Sequence, residues 1–152
     1  MSEPLEPFVG YSDGASRSTQ NLSSAAWAIF APSGELVSFQ GIFISRSTNN
    51  ITEYSMLIKL LSDAISLGIH RIIIRLDAQL VVLQQTNIYT VRNPTILRIF
   101  LRVRLLERHF EYIQYQHISR NFNTLTDSLA NCVKQTFVTH VKVNFQFTPL
   151  VE

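Results

Sequence analysis

Arg71-Ile-Ile-Ile-Arg-Leu-Asp-Ala-Gln-Leu-Val-Val82 is the stretch whose reading decides the fold. The β-branched run Ile72-Ile-Ile74 marks a short buried strand over Arg71 to Leu76, Asp77 follows it directly, and Ala78 to Gln85 begins a short helix. Upstream, Tyr54, Leu57, Ile58, Leu61 and Ile65 recur at helical spacing, so Asn50 to Leu67 is read as a helix with Gly68 as its stop. A strand entered from one helix and left into another joins a sheet as a parallel addition, because a hairpin leaves no room for the crossover.

Working outward, the N-terminal third has period two. Phe8 to Ser12 is a strand ended by the turn pair Asp13-Gly14, and Ser16 to Ser24 is polar and loop-like. A second strand, Ala25 to Ala31, reaches the turn Pro32-Ser-Gly-Glu35, and Leu36 to Ser45 returns as a third. Beyond the central stretch, Asn93-Pro94 opens a longer helix to about His109, with Ile96, Ile99, Val103, Leu106 and Phe110 on one stripe. Glu111 to His117 alternates like a strand, Arg120 to Asn123 is a loop, and Leu125 to Gln135 is a last helix. The expected fold is α/β: a five-stranded mixed sheet, three antiparallel strands then two parallel, flanked by helices. Residues 1–7 read as a leader, 8–136 as the domain, and 137–152 as a C-terminal extension, strand or docking tail, with no place assigned.

Composition sets mild bounds. A length of 152 residues with 46% hydrophobic content suits one domain with a real core. The single Cys132 excludes an internal disulfide framework, no apolar run reaches the roughly 20 residues of a membrane span, and the N-terminus lacks signal-peptide character. An intracellular protein, cytoplasmic or nuclear, is expected. Net charge is only +2, yet five arginines stand against one acid, Glu107, between Arg92 and Arg108. Any nucleic-acid footprint is expected there, with Arg102 and Arg104 as contacts. The structural alternative is a solvated helix face whose arginine stems cover Leu97, Leu101 and Leu105.

Four acids fall at the joints of this fold. Asp13 ends a strand, Glu53 lies in the first turn of a helix, Asp77 ends another strand, and Asp127 lies near the start of the last helix. Each has a local explanation: Asp13 in an Asp-Gly turn, Glu53 in a capping box with Asn50, Asp77 as a cap, Asp127 at the third helical position behind Thr124. Jointly they point further, because an α/β fold gathers such positions at one sheet edge. Four gathered carboxylates repel one another unless cations neutralise them, and hard cations such as Mg²⁺ prefer oxygen ligands.

The chain resembles ribonuclease H of the cellular and retroelement type. The likeness is carried by Asp-Gly-Ala-Ser at 13–16, Asn-Asn-x-x-Glu-Tyr at 49–54, Asp-x-Gln-Leu-Val-Val at 77–82 and Arg-x-x-Asn-x-x-x-Asp-x-Leu-Ala-Asn at 120–131. It is most similar to the archaeal-like domains of plant gypsy-class LTR retrotransposons and plant reverse-transcriptase-like domains. The resemblance implies a metal-dependent endonuclease acting on the RNA strand of RNA/DNA hybrids, with two Mg²⁺ ions and Mn²⁺ as a substitute. It implies that Asp13 bridges both ions, Asp127 helps hold the one that binds the attacking water, and Glu53 and Asp77 help hold the one beside the leaving group. It implies substrate contacts from Gly14, Ala15, Ser16, Asn49, Asn50 and Gln79, and assisting roles for Arg120 and His117. Two positions depart from the family: residues 16–24 lack glycine, and Ala78 stands where relatives carry serine. A catalytically silent connection or nucleic-acid-binding module of a larger polyprotein is the alternative.

Overall fold

The computed structural model describes residues 5–15, 22–45, 49–118 and 142–147. Nine elements follow in chain order: β1 (Phe8–Ala15), β2 (Leu22–Phe30), β3 (Leu36–Ser45), α1 (Asn49–Ser66), β4 (Arg71–Leu76), α2 (Gln79–Gln85), α3 (Pro94–Glu107), β5 (Tyr112–His117) and β6 (Lys142–Phe147). The strands form one sheet in the order β5-β4-β1-β2-β3-β6. β1, β2 and β3 are an antiparallel meander, while β4 runs parallel to β1 and β5 parallel to β4. The expected five strands are therefore present. A sixth comes from the C-terminal extension, as β6 pairs parallel with β3 from Ser38↔Lys142 to Phe43↔Phe147. The last expected helix, Leu125 to Gln135, lies outside the described residues.

α1 forms because its apolar positions recur at helical spacing, and it ends at Gly68, whose φ of +75° an L side chain rarely adopts. Its inner face is fully buried: Tyr54, Met56, Leu57, Leu60, Leu61 and Ala64 pack over Ile72, Ile74 and Leu76 of β4 and Val103 of α3. Burial of each large side chain stabilises the fold by about 1.5–3 kcal/mol. The helix comes so close to the sheet that a Cβ on Gly10 of β1 would stand 3.1 Å from Leu60 Cδ2 and 3.2 Å from Ile74 Cδ1. A smaller cluster of Tyr11, Ala28, Phe30 and Leu36 forms a second core.

The first strand departs from its expected end. Asp13 and Gly14 make no turn; they continue the ladder opposite Ala26 and Ala25. Turn chemistry is a local preference, and here the partner strand, starting at Leu22 and not Ala25, supplies backbone hydrogen bonds that outweigh it.

One buried polar cluster ties α1 to the meander. Asp63, 7% exposed, accepts through Oδ2 from Ser38 Oγ at 2.6 Å, Trp27 Nε1 at 3.1 Å and Gln40 Nε2 at 3.2 Å. Nothing in the helical periodicity singles out this acid. Among the described residues, no helix is long and apolar enough to cross a membrane.

Candidate active site

Strand register assembles the site. Ser12 of β1 is paired with Leu76 of β4, and Leu76 with His117 of β5, so these three residues form a row across adjacent parallel strands. Asp13 is the next residue along β1 and Asp77 the residue that follows β4, so the register carries both chains toward the same end of the sheet. Glu53 reaches the same edge from the helix layer. α1 ends at Ser66, just before β4 starts at Arg71, so the two elements run in opposite directions. Thirteen helical residues back from Ser66 is about 20 Å, and the six-residue strand is about 20 Å long. The start of α1 therefore lies at the end of β4 that Asp77 follows, with Glu53 in the second turn and not, as expected, in the first, because the helix begins at Asn49.

A direct contact supports this placement. The buried hydroxyl of Tyr54, the residue after Glu53, donates to Gln84 Oε1 of α2 at 2.6 Å. α2 begins two residues after Asp77 and is thus clasped to the turn that carries Glu53. Burial pushes the Tyr54 hydroxyl up to about 12. The folded state binds this proton more tightly than the unfolded chain, whose tyrosine titrates near 10, so stability is full below pH 10 and falls as pH rises toward 12. In urea titrations at stepped alkaline pH, Tyr54→Phe is expected to flatten that decline; an unaltered slope would place its origin elsewhere, as at Tyr115.

Glu53 is 8% exposed with Oε2 buried, and Asp77 also has a buried oxygen, Oδ1. Neither follows its local explanation. Asn50 is inside α1, which begins at Asn49, and the N-cap of α2 is Ala78, which makes no side-chain cap bond. A set made only of carboxylates suits a hard divalent cation. Among the described residues, no group of three acids, histidines or cysteines gathers. The side chain of Asp13 and the whole of Asp127 fall outside the described residues, as do Ser16, Arg120 and the side chains of Ala15 and Asn49, while Gly14 is described only as strand backbone.

The backbone at Ala78 is extended, with φ −79° and ψ 90°, as an N-cap requires. Ala78→Ser supplies the missing acceptor for the first turn of α2 and is expected to raise unfolding stability by about 1 kcal/mol. A chemical denaturation midpoint that does not move would mean that the hydroxyl finds no free backbone N–H.

The remaining candidates separate clearly. Asn50 and Gln79 are exposed in the first turns of α1 and α2, and His117 is exposed at the end of β5, all on elements that end or begin at the acidic edge. Arg102 is exposed on α3 as expected. Arg104 is turned inward, against the sequence expectation of a phosphate contact. It pairs with Glu107 at 2.7 Å, donates to Gln85 O at 2.7 Å and Asn87 Oδ1 at 2.8 Å, and covers the Phe100 ring at 4.7 Å. Asn87, at φ 63°, follows α2 and presents that acceptor. Glu107 also accepts from the Tyr115 hydroxyl, so α2, α3 and β5 meet at one polar junction. The sequence carried no signal for this beyond the i, i+3 spacing of Arg104 and Glu107. Leu97, Leu101 and Leu105, expected beneath arginine stems, stand exposed.

The sequence matches the reverse transcriptase-like family over residues 11–133, which takes in all four acids. A crystal structure of RNase H1 from the halophilic archaeon Halobacterium salinarum superposes with a TM-score of 0.72 at 31% identity, covering 86% of this chain and all of that one. The chain belongs to the ribonuclease H family. The curated ribonuclease HI of Halobacterium salinarum is 36% identical over 121 residues, covering 80% of this chain and 61% of the relative. A bifunctional protein of Mycobacterium tuberculosis is 38% identical over 88 residues, 58% of this chain but 24% of its own length. The chain thus spans less than two thirds of either curated relative. In ribonuclease H terms, the mixed sheet is the family's scaffold.

Proposed function

We propose that the domain is an endonuclease that hydrolyses the RNA strand of RNA/DNA hybrids with the help of divalent cations. The observation that carries this reading is the parallel register that sets Asp13 beside Asp77, with the Glu53 turn of α1 over the same edge. Its support is the family membership together with the presence of all four acids in the family's order. Asp13, Glu53, Asp77 and Asp127 would hold Mg²⁺ or Mn²⁺, which when bound supplies charge neutralisation at the phosphate and activation of a water.

The chain's own residues have separate tasks. Asn50 and Gln79, exposed at the starts of two helices flanking the acids, are suited to hydrogen-bond ribose hydroxyls and base edges in the open minor groove, as is Asn49 by its place in α1. His117, at the end of the strand beside β4, is suited to exchange a proton near the cleaved bond, and Arg120, three residues on in the sequence, is the candidate to meet the product phosphate. The Tyr54–Gln84 bond keeps Glu53 and Asp77 at a fixed spacing. The reading of the domain as a retroelement-derived part of a longer polypeptide draws its support from the reverse transcriptase-like family.

The test is cleavage of end-labelled substrates in Mg²⁺ and in Mn²⁺. The RNA of a hybrid is expected to be cut and duplex DNA of the same sequence left intact, because the asparagine contacts require ribose hydroxyls. Equal cutting of both, or of neither in either metal, defeats the reading.

A further inference from the structure

The outer face of α3 carries a feature with no part in hydrolysis. Leu97, Leu101 and Leu105 recur every four residues and are 38%, 52% and 60% exposed, so they form one apolar seam along the helix. Exposed Arg98 and Arg102 lie beside the seam, with exposed Arg108 and His109 at its end. Glu107, the one acid of this helix, is turned inward onto Arg104 and Tyr115 and offsets none of them. Where the seam meets α1, a groove of about 460 Å³ opens among Ile58, Ser62, Arg102, Leu105, Leu106 and His109.

We propose that this face docks an amphipathic helix of a protein partner whose apolar stripe is flanked by aspartates and glutamates. The seam favours protein over nucleic acid, because phosphates are met by arginine and polar donors, whereas three aligned leucines would be stranded against them. Position agrees: Ile58 and Ser62 lie five and nine residues along α1 from Glu53, about 8–14 Å down the helix and away from the acidic edge. Charge opposes two copies of this chain meeting through this face, since that would set arginine against arginine with no acid between them. An acidic helix laid in the groove matches both the leucines and the cations.

A fluorescein-labelled 15-residue peptide with leucines at helical spacing and glutamates beside them is titrated with the protein and followed by anisotropy. Two controls accompany it: a permuted peptide of the same composition with no apolar stripe, and one with lysine for every glutamate. The acidic amphipathic peptide is expected to bind at least tenfold tighter than either. Leu101→Ser with Leu105→Ser should weaken it tenfold or more with an unchanged circular dichroism spectrum, as both side chains are already exposed. Arg102→Glu with Arg108→Glu should weaken it and strengthen the lysine peptide. An RNA/DNA hybrid, added without divalent metal, should not displace it. Equal binding of the permuted peptide, or no effect of the leucine changes, overturns the proposal. Displacement by the hybrid also overturns it, and assigns the arginines to nucleic acid.

Discussion

Asp13→Asn is expected to abolish hybrid cleavage, with a loss on the order of a thousandfold, about 4 kcal/mol of barrier. Asp13 lies one residue beyond the Ser12↔Leu76 pair, as does Asp77, and in the proposed reading it would help hold divalent cations, a task an amide does not perform. The same change relieves a like-charge repulsion, so without metal the variant should melt at the same temperature or slightly higher. Added Mg²⁺ should then raise the melting temperature of the parent chain and leave the variant nearly unmoved, because only a bound ligand stabilises the native state. A variant that unfolds would make Asp13 a structural residue. One that keeps the full Mg²⁺ response while losing activity would move the metal away from Asp13.

Asp63→Ala should produce the largest loss of stability of any change considered, about 3 kcal/mol or more in denaturant unfolding. It strips the common acceptor from Trp27, Ser38 and Gln40 in a buried setting, and each donor left without a partner costs about 1–3 kcal/mol. Asp63→Asn keeps an oxygen and should lose less, since only the charge-assisted part of these bonds disappears. Equal stability of the alanine variant would mean that the donors repair themselves with water. The cluster lies ten residues along α1 from Glu53, so activity per folded molecule should change little.

How far these features could be read beforehand depended on where their causes lie. α1 and β4 were legible because their causes are local: a 3.6-residue period closed by Gly68, and a β-branched run ended by Asp77. Asp77 could be assigned to a strand end for the same reason, whereas Glu53, expected in the first turn of a helix, lies one turn further in because α1 begins at Asn49. The Asp13-Gly14 pair was misread because an Asp-Gly turn is also a local preference, and the ladder with Ala25 and Ala26 that overrides it comes from another part of the chain. Asp63 was invisible because a lone acid at the end of a helix looks solvated until Trp27, Ser38 and Gln40 are brought to it across the sheet. Arg104 reads as a surface cation in the sequence because composition counts charges without saying which of them turn inward to a helix end. β6 could not be placed because a strand's partner is fixed by tertiary fit, and nothing within residues 137–152 names β3.

β6 also decides what the outer margin of the sheet offers to other molecules. It lies along Ser38 to Phe43 of β3, a ten-residue strand whose backbone N–H and C=O groups would otherwise form an open row. Such rows recruit strands from neighbouring chains, and long flat ones seed aggregation. β6 is itself the outermost strand, so a polypeptide cut before Lys142 would keep the acids and the core helix but exchange a six-residue edge strand for the ten-residue β3, a longer template for strand-to-strand association. Residues remote from the chemistry thus set how long an edge the sheet presents.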